Sequence, residues 1–321
     1  MNRSDAPGDT LPADTTVGRV ALRVNDLDRV ARFYESVIGL EARSVEGERA
    51  VLDAGGQPLL VLVEDREARP RGREETGLFH TAFLVPSRAA LGDALHRIED
   101  GWHLDGASNH VVSEALYCTD PEGNGVEVYR DRQREEWPVA ADGTVGIDTL
   151  PLDFDGVRDA AAATEETTAG SGDDIPSAAT GSGDDTASTV PSGTTIGHVH
   201  LEVSSLEAAT AFYVDTLGME ITQRYGESAL FVAAGGYHHH LGLNVWGGRS
   251  APPRGRGLDW FELVVPDAAS LTAIRERFER DGETTEAIES EIDLVDEVEG
   301  DSFAVSDRDG IRIRVRTGDG D

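Results

Sequence analysis

Residues 17–24 read Val-Gly-Arg-Val-Ala-Leu-Arg-Val, and residues 196–203 read Ile-Gly-His-Val-His-Leu-Glu-Val. The two stretches align without a gap, and the same offset pairs Phe33-Tyr34 with Phe212-Tyr213 and Gly39-Leu40-Glu41 with Gly218-Met219-Glu220. Further on, Leu78 to Pro86 matches Leu258 to Pro266, and the run from Asp120 to Val128 matches that from Asp307 to Val315. An internal repeat of this kind defines the domain plan before any local pattern is read. It gives two similar domains, 16–135 and 194–317.

Each domain has an inner rhythm. A β-branched strand (17–24) precedes a helix with apolar positions at 30, 33, 34 and 37, which ends near Gly39 and is followed by strands at about 49–53 and 59–63. The pattern restarts with a strand at 78–85, a helix at 87–99 and strands at about 111–118 and 125–130. The expected architecture is α+β, with four βαβββ modules starting near 17, 78, 196 and 258.

Between the domains lie a connecting segment, 136–157, and a stretch of Ala, Thr, Ser, Gly and Asp at 158–193 in which Gly-Ser-Gly-Asp-Asp is written twice. The latter buries too little to offset its ordering entropy and reads as a flexible acidic linker. Residues 1–15 read as a disordered N-terminus.

The chain has 61 acidic and 28 basic residues, a formal net charge of −33, and contains no lysine. A polyanion-binding surface needs a basic face, so nucleic acid is excluded as a partner, and anionic membrane surfaces are disfavoured. Acidity spread over the folded parts suits a salt-rich cytoplasm, where screening makes self-repulsion tolerable. The single cysteine, Cys118, excludes an internal disulfide and gives no support to a thiolate zinc site. No apolar run approaches membrane-spanning length and no secretory signal opens the chain, so a cytoplasmic protein is expected.

The opening Gly-His-Val-His-Leu-Glu-Val, the helix ending Phe-Tyr-x₄-Leu-Gly-Met and the closing Asp-Pro-Glu-Gly-Asn-Gly-Val-Glu-Val resemble the vicinal oxygen chelate superfamily of glyoxalases, bleomycin-resistance proteins and extradiol dioxygenases. The stretches 106–117 and 234–246 look like its two-domain catechol-2,3-dioxygenase branch. The resemblance implies paired modules forming two cupped mixed sheets, with a divalent metal on a concave face.

Carried over residue by residue, the superfamily's first-strand ligand positions fall on Arg19, His80, His198 and Trp260, and its closing-strand position on Glu127 and Arg314. Neither contiguous domain then holds a full ligand set. If module two instead closes a cup with module three, and one with four, the first cup collects His80, Glu127 and His198. This two-His-one-carboxylate set leaves three positions open on non-haem Fe(II), and Mn(II) suits the same donors.

Strand alternation adds neighbours. His200 shares a face with His198. Tyr117 lies ten residues before Glu127, the spacing of the active-site tyrosine in the ring-cleaving enzymes resembled, and His110 stands for the histidine those enzymes keep just outside the metal ligands, displaced by two positions. Among His238, His239 and His240, parity with Gly242 and Asn244 favours His240 or His238 over His239, and His240 is taken as the catalytic acid–base. Each also has a plain reading: Tyr117 as a core aromatic, His110 as a turn residue, the histidine run as a solvated edge.

The leading expectation is an Fe(II)-dependent extradiol ring-cleaving dioxygenase acting on a small aromatic diol with O₂. Glyoxalase-like sites use a fourth ligand, usually a carboxylate, and Leu241-Gly-Leu-Asn244 offers none, which counts against a metal-dependent lyase or isomerase. The third reading is a metal-free protein that binds small aromatic molecules. The oligomeric state is left open, a homodimer being one option.

Overall fold

The computed structural model describes residues 10–169, 189–282 and 302–318. Module one comprises β1 (Thr16–Val24), α1 (Leu27–Phe33), β2 (Glu41–Glu46), β3 (Arg49–Ala54) and β4 (Gln57–Glu64). Module two comprises β5 (Gly77–Leu84), α2 (Arg88–Gly101), β6 (Gly106–Asn109), β7 (Ser113–Thr119) and β8 (Gly125–Asp131), and is followed by α3 (Phe154–Ala169). Module three contains β9 (Thr195–Glu202), α4 (Leu206–Ala209), β10 (Glu220–Tyr225), β11 (Ala229–Ala233) and β12 (Leu241–Asn244). Module four supplies β13 (Gly257–Val265), α5 (Ala268–Arg280), β14 (Ser302–Ser306) and β15 (Arg312–Thr317).

Local chemistry explains the helices. Asp26, Ser87, Ser205 and Asp267 cap α1, α2, α4 and α5 by accepting a hydrogen bond from the backbone N–H three residues on. The buried face of α2 is Ala90, Leu91, Ala94, Leu95 and Ile98, a helical spacing. After α1, a π turn over Tyr34–Ile38 ends at Gly39, whose φ of 93° demands glycine; Gly218 repeats this in module three.

The strands form two mixed sheets, β14-β15-β13-β1-β4-β3-β2 and β10-β11-β12-β9-β5-β8-β7-β6. Each sheet takes one module from each half of the chain: one with four, and two with three. The halves 16–135 and 194–317 therefore do not close separate cups. The seam of the second sheet is the antiparallel pair β5 and β9, in which His80 opposes His200 and Ala82 opposes His198. The corresponding seam of the first sheet sets Ala21 opposite Trp260.

Ahead of α3, the connecting segment touches both edges of the second sheet. It bridges β6 through the antiparallel pair Asn109 and Leu150, then reaches β10 at the opposite edge, where Val145 N–H donates to Thr222 O (2.9 Å). The Gln223 side chain and the Ile147 backbone bond each other in both directions.

Two expectations about connections are corrected. The linker was expected to begin at 158, but 158–169 is helical within α3, which packs on α2 through Val157 and Ala161. The contact is close because Gly92 has no side chain; a Cβ there would lie 2.5 Å from Val157 O. The alanine run that reads as low complexity thus supplies small helix-packing residues. The N-terminus was expected to be disordered to residue 15, yet Leu11 is buried and its N–H donates to Gly218 O (2.8 Å). Residues 1–9 and 170–188 lie outside the described residues.

Candidate metal centre and aromatic cavity

The cup of the second sheet gathers the three proposed ligands. His80 comes from β5, Glu127 from β8 and His198 from β9, all buried, with one ligand atom from each lying within 4.8 Å of the others. His198 Nε2 lies 3.2 Å and His80 Nε2 2.9 Å from Glu127 Oε2. Ligands at right angles, each about 2.1 Å from a first-row divalent metal, stand about 3 Å apart, so these edges match one face of a coordination sphere. The His80 approach lacks hydrogen-bond geometry, which leaves a buried ring nitrogen without a hydrogen-bond partner. A donor set of this kind suits a borderline divalent cation.

Electrostatics agree. Burial pushes the Glu127 carboxyl up, but the His198 and His80 rings facing it hold it well below the usual range. Burial lowers His198 and keeps its ring neutral, the form that ligates metal.

A cavity of about 270 Å³ opens above this floor. Phe79, Phe231, Tyr225 and Trp246 supply aromatic walls, and Ile147, Asp148 and Thr149 of the connecting segment also line it. Phe79 and His80, though consecutive, both face the cavity because the β5–β9 register shifts between Leu78 and His80 and interrupts the alternation.

The remaining expected residues fall as follows. Tyr117 and His200 line the cavity. His200 lies against Gly242, where a Cβ would meet its ring at 2.7 Å, and burial, with His80 and His198 nearby, holds its pKa well below normal. His110 also lines the cavity, but from the turn before β7 rather than from a strand, so its displaced spacing is a property of the turn. That turn includes Val111 at φ 72°, a strained value for a β-branched residue. His110 Nδ1 lies 2.7 Å from Asp148 O, which only accepts, so Nδ1 donates; Nε2 then accepts from the Tyr117 hydroxyl at 2.7 Å. Burial, and after it the Glu127 charge, push the Tyr117 phenol well above its usual pKa.

His240 is the exception. It does not line the cavity; His239 does. His240 Nδ1 instead accepts from Ala234 N–H (3.2 Å), and burial lowers the ring to about 3. β12 begins only at Leu241 and the preceding turn holds Gly235 and Gly236 at positive φ, so residues 238–240 have no strand alternation to extend.

Two features escaped the sequence reading. One is the cavity wall made by the connecting segment. The other is Asp131 on β8, which shares a face with Glu127 and Tyr129 by alternation and bonds His238 Nε2 at 2.9 Å. Among the described residues, the first cup brings together no cluster of three metal-ligating side chains. Glu262 fills it, taking Arg19 Nη2 at 2.8 Å and Arg316 Nε at 3.2 Å, with Arg314 Nε at 3.8 Å, while Trp260 packs beside Arg19. Burial pushes the Cys118 thiol up to about 12, which fits packing rather than reactivity.

Paired βαβββ modules enclosing a two-His-one-carboxylate floor define the class. The profile of the Glyoxalase/Bleomycin resistance protein/Dioxygenase superfamily matches residues 16–128 and 195–315, and the chain belongs to that superfamily. It is 38% identical over 294 residues to the catechol-2,3-dioxygenase of Bacillus subtilis (strain 168), covering 89% of this chain and 95% of that protein. Among solved structures, a putative dioxygenase from Bacillus subtilis superposes with a TM-score of 0.60 at 13% identity, covering 97% of this chain and 87% of that one. Glyoxalase I from Zea mays gives a TM-score of 0.52 at 15% identity, covering 95% and 92%. These two likenesses concern the fold alone.

Proposed function

We propose that the protein is an Fe(II)-dependent extradiol dioxygenase that cleaves the ring of a small catechol-type diol with O₂. The observation that supports this most is the convergence of His80, Glu127 and His198, from both halves of the chain, beneath an aromatic cavity. His80, Glu127 and His198 would hold the iron, which would supply Lewis acidity toward a vicinal diol and activation of O₂; Mn(II) suits the same donors.

The chain's own residues position the substrate and move its protons. Phe79, Phe231 and Trp246 give a flat ring aromatic faces and edges to pack against. His239, neutral because burial and the neighbouring His198 and His238 hold its pKa well below normal, accepts a proton from a diol hydroxyl and later returns it. Tyr117, oriented by His110, places its hydroxyl oxygen at the cavity wall. His200 narrows the cavity beside His80, their ring centroids 5.0 Å apart.

No Asp or Glu of β12 joins the three ligands, which disfavours a lyase or isomerase of the glyoxalase type. A cytoplasmic location with no nucleic-acid or membrane partner completes the proposal. The test is anaerobic loading with Fe(II) in high salt, then addition of catechol and O₂. Oxygen uptake with a yellow ring-cleavage product supports the reading, provided His80→Ala, Glu127→Ala and His198→Ala abolish both. Metal binding without oxygen uptake overturns it.

A further inference from the structure

Behind His239, hydrogen bonds run away from the cavity toward β8. His239 Nδ1 lies 2.7 Å from His238 Nδ1, His238 Nε2 lies 2.9 Å from Asp131 Oδ1, and Asp131 Oδ2 accepts from the Tyr237 hydroxyl at 2.9 Å. The Tyr237 oxygen lies 2.9 Å from the Tyr129 hydroxyl. An ionised carboxylate only accepts, so each group facing Asp131 turns a hydrogen toward it. Tyr129 donates to Tyr237, Tyr237 donates to Asp131, and His238 donates from Nε2. When the His238 ring holds a single proton, that proton sits on Nε2 facing Asp131, so Nδ1 carries the lone pair and accepts from His239 Nδ1–H. What remains on His239 is the Nε2 lone pair, and no other hydrogen bond engages this ring among the described residues.

We infer that Asp131 and His238 are positioning residues that hold His239 in its Nδ1–H tautomer, so that an unprotonated Nε2 meets the substrate. A neutral imidazole not constrained in this way favours the Nε2–H tautomer, which would turn a donor toward the diol and block proton acceptance. The arrangement is rigid. His238 is fully buried between Tyr237, at 4.1 Å between ring centroids, and Trp137, at 5.2 Å. Tyr129 reaches its place because residue 197 is glycine; a Cβ there would lie 1.7 Å from the Tyr129 hydroxyl oxygen. Proton transfer breaks the diol O–H bond and forms N–H at His239 Nε2. The resulting imidazolium keeps its Nδ1–H bond to His238, whose own N–H points at the Asp131 charge. The role of His239 rests on the function proposed above; its tautomer does not.

Two variants at position 238 separate positioning from packing. His238→Asn keeps an acceptor near the place of Nδ1 but loses much of the ring, whereas His238→Phe keeps the ring but removes the acceptor. In metal-free protein labelled with ¹⁵N-histidine, with the His239 signals assigned through their loss in His239→Gln, wild type and His238→Asn show an unprotonated Nε2, and His238→Phe shows Nε2–H. With iron loaded, His238→Phe lowers kcat by roughly 10²-fold while KM stays within about twofold, and His238→Asn recovers most of kcat. A protonated Nε2 in the wild type overturns the inference, and that spectrum decides even if a variant fails to fold. Equal or greater damage from Asn than from Phe overturns it as well, since packing alone predicts that order. Absence of ring cleavage in the wild type, with the tautomers as stated, removes the proposed function and leaves the hydrogen-bond assignment standing.

Discussion

His198 Nε2 lies 3.2 Å from Glu127 Oε2, a buried contact between residues 71 positions apart that belong to different repeats of the chain. It exists because β5 pairs with β9 on one side and β8 on the other, so one strand from the second half completes a site begun in the first.

Tyr117 donates to His110 and faces the cavity without joining the ligand set. Tyr117→Phe is therefore expected to retain metal and lower kcat by roughly 10²-fold, the usual scale for an assisting proton donor or acceptor. Metal content and steady-state oxygen uptake, measured on the same preparation, check this. Loss of metal in the variant would place Tyr117 in the ligand set instead.

Gly92 gives a prediction whose sign runs against helix propensity. Alanine in a helix interior is ordinarily preferred to glycine by about 1 kcal/mol. Here the added Cβ would lie 2.5 Å from Val157 O and 2.8 Å from the Ala161 Cβ, so Gly92→Ala should lower stability by about 1–3 kcal/mol. Chemical denaturation reads this directly; a more stable variant would show that α3 does not rest on α2.

Much of this was legible in the sequence. The repeat gave the module count, and the positions of His80, His198 and Glu127 gave a ligand set that made sense only with exchanged modules, the pairing the sheets adopt. What escaped had physical causes. Periodicity speaks for regular strands, and so it misjudged His240 where a Gly-Gly turn interrupts the strand. Composition speaks for burial capacity, and so it read the alanine-rich start of 158–193 as linker, although small residues are what close helix packing needs. Asp131 carried no motif; only the fold shows it bonded to His238.

Asp307 accepts from the Tyr213 hydroxyl at 2.9 Å, and burial raises its pKa from the ordinary carboxylate range to about 6. A carboxyl whose folded pKa is raised adds stability below its unfolded pKa and loses it as pH climbs through the folded one. The stability of wild type relative to Asp307→Asn should therefore fall between about pH 4 and pH 6, by on the order of 2–3 kcal/mol. Paired urea melts across this range check it, and a relative stability that rises with pH would contradict it.

With a formal net charge of −33 and no lysine, self-repulsion opposes the folded state until salt screens it. The Tm is expected to rise between about 0.1 M and about 2 M KCl, where the Debye length shortens from about 10 Å to a few Å. A Tm unchanged or lowered by KCl would remove self-repulsion as a determinant of stability.

The most direct test of the central claim, a single centre built from both halves of the chain, is metal stoichiometry after Fe(II) loading and anaerobic desalting, compared between wild type and His198→Ala. Close to one equivalent is expected in the wild type and essentially none in His198→Ala, with circular dichroism unchanged. A variant that keeps its iron would contradict it, because His80 and Glu127 would then hold the metal without the second half.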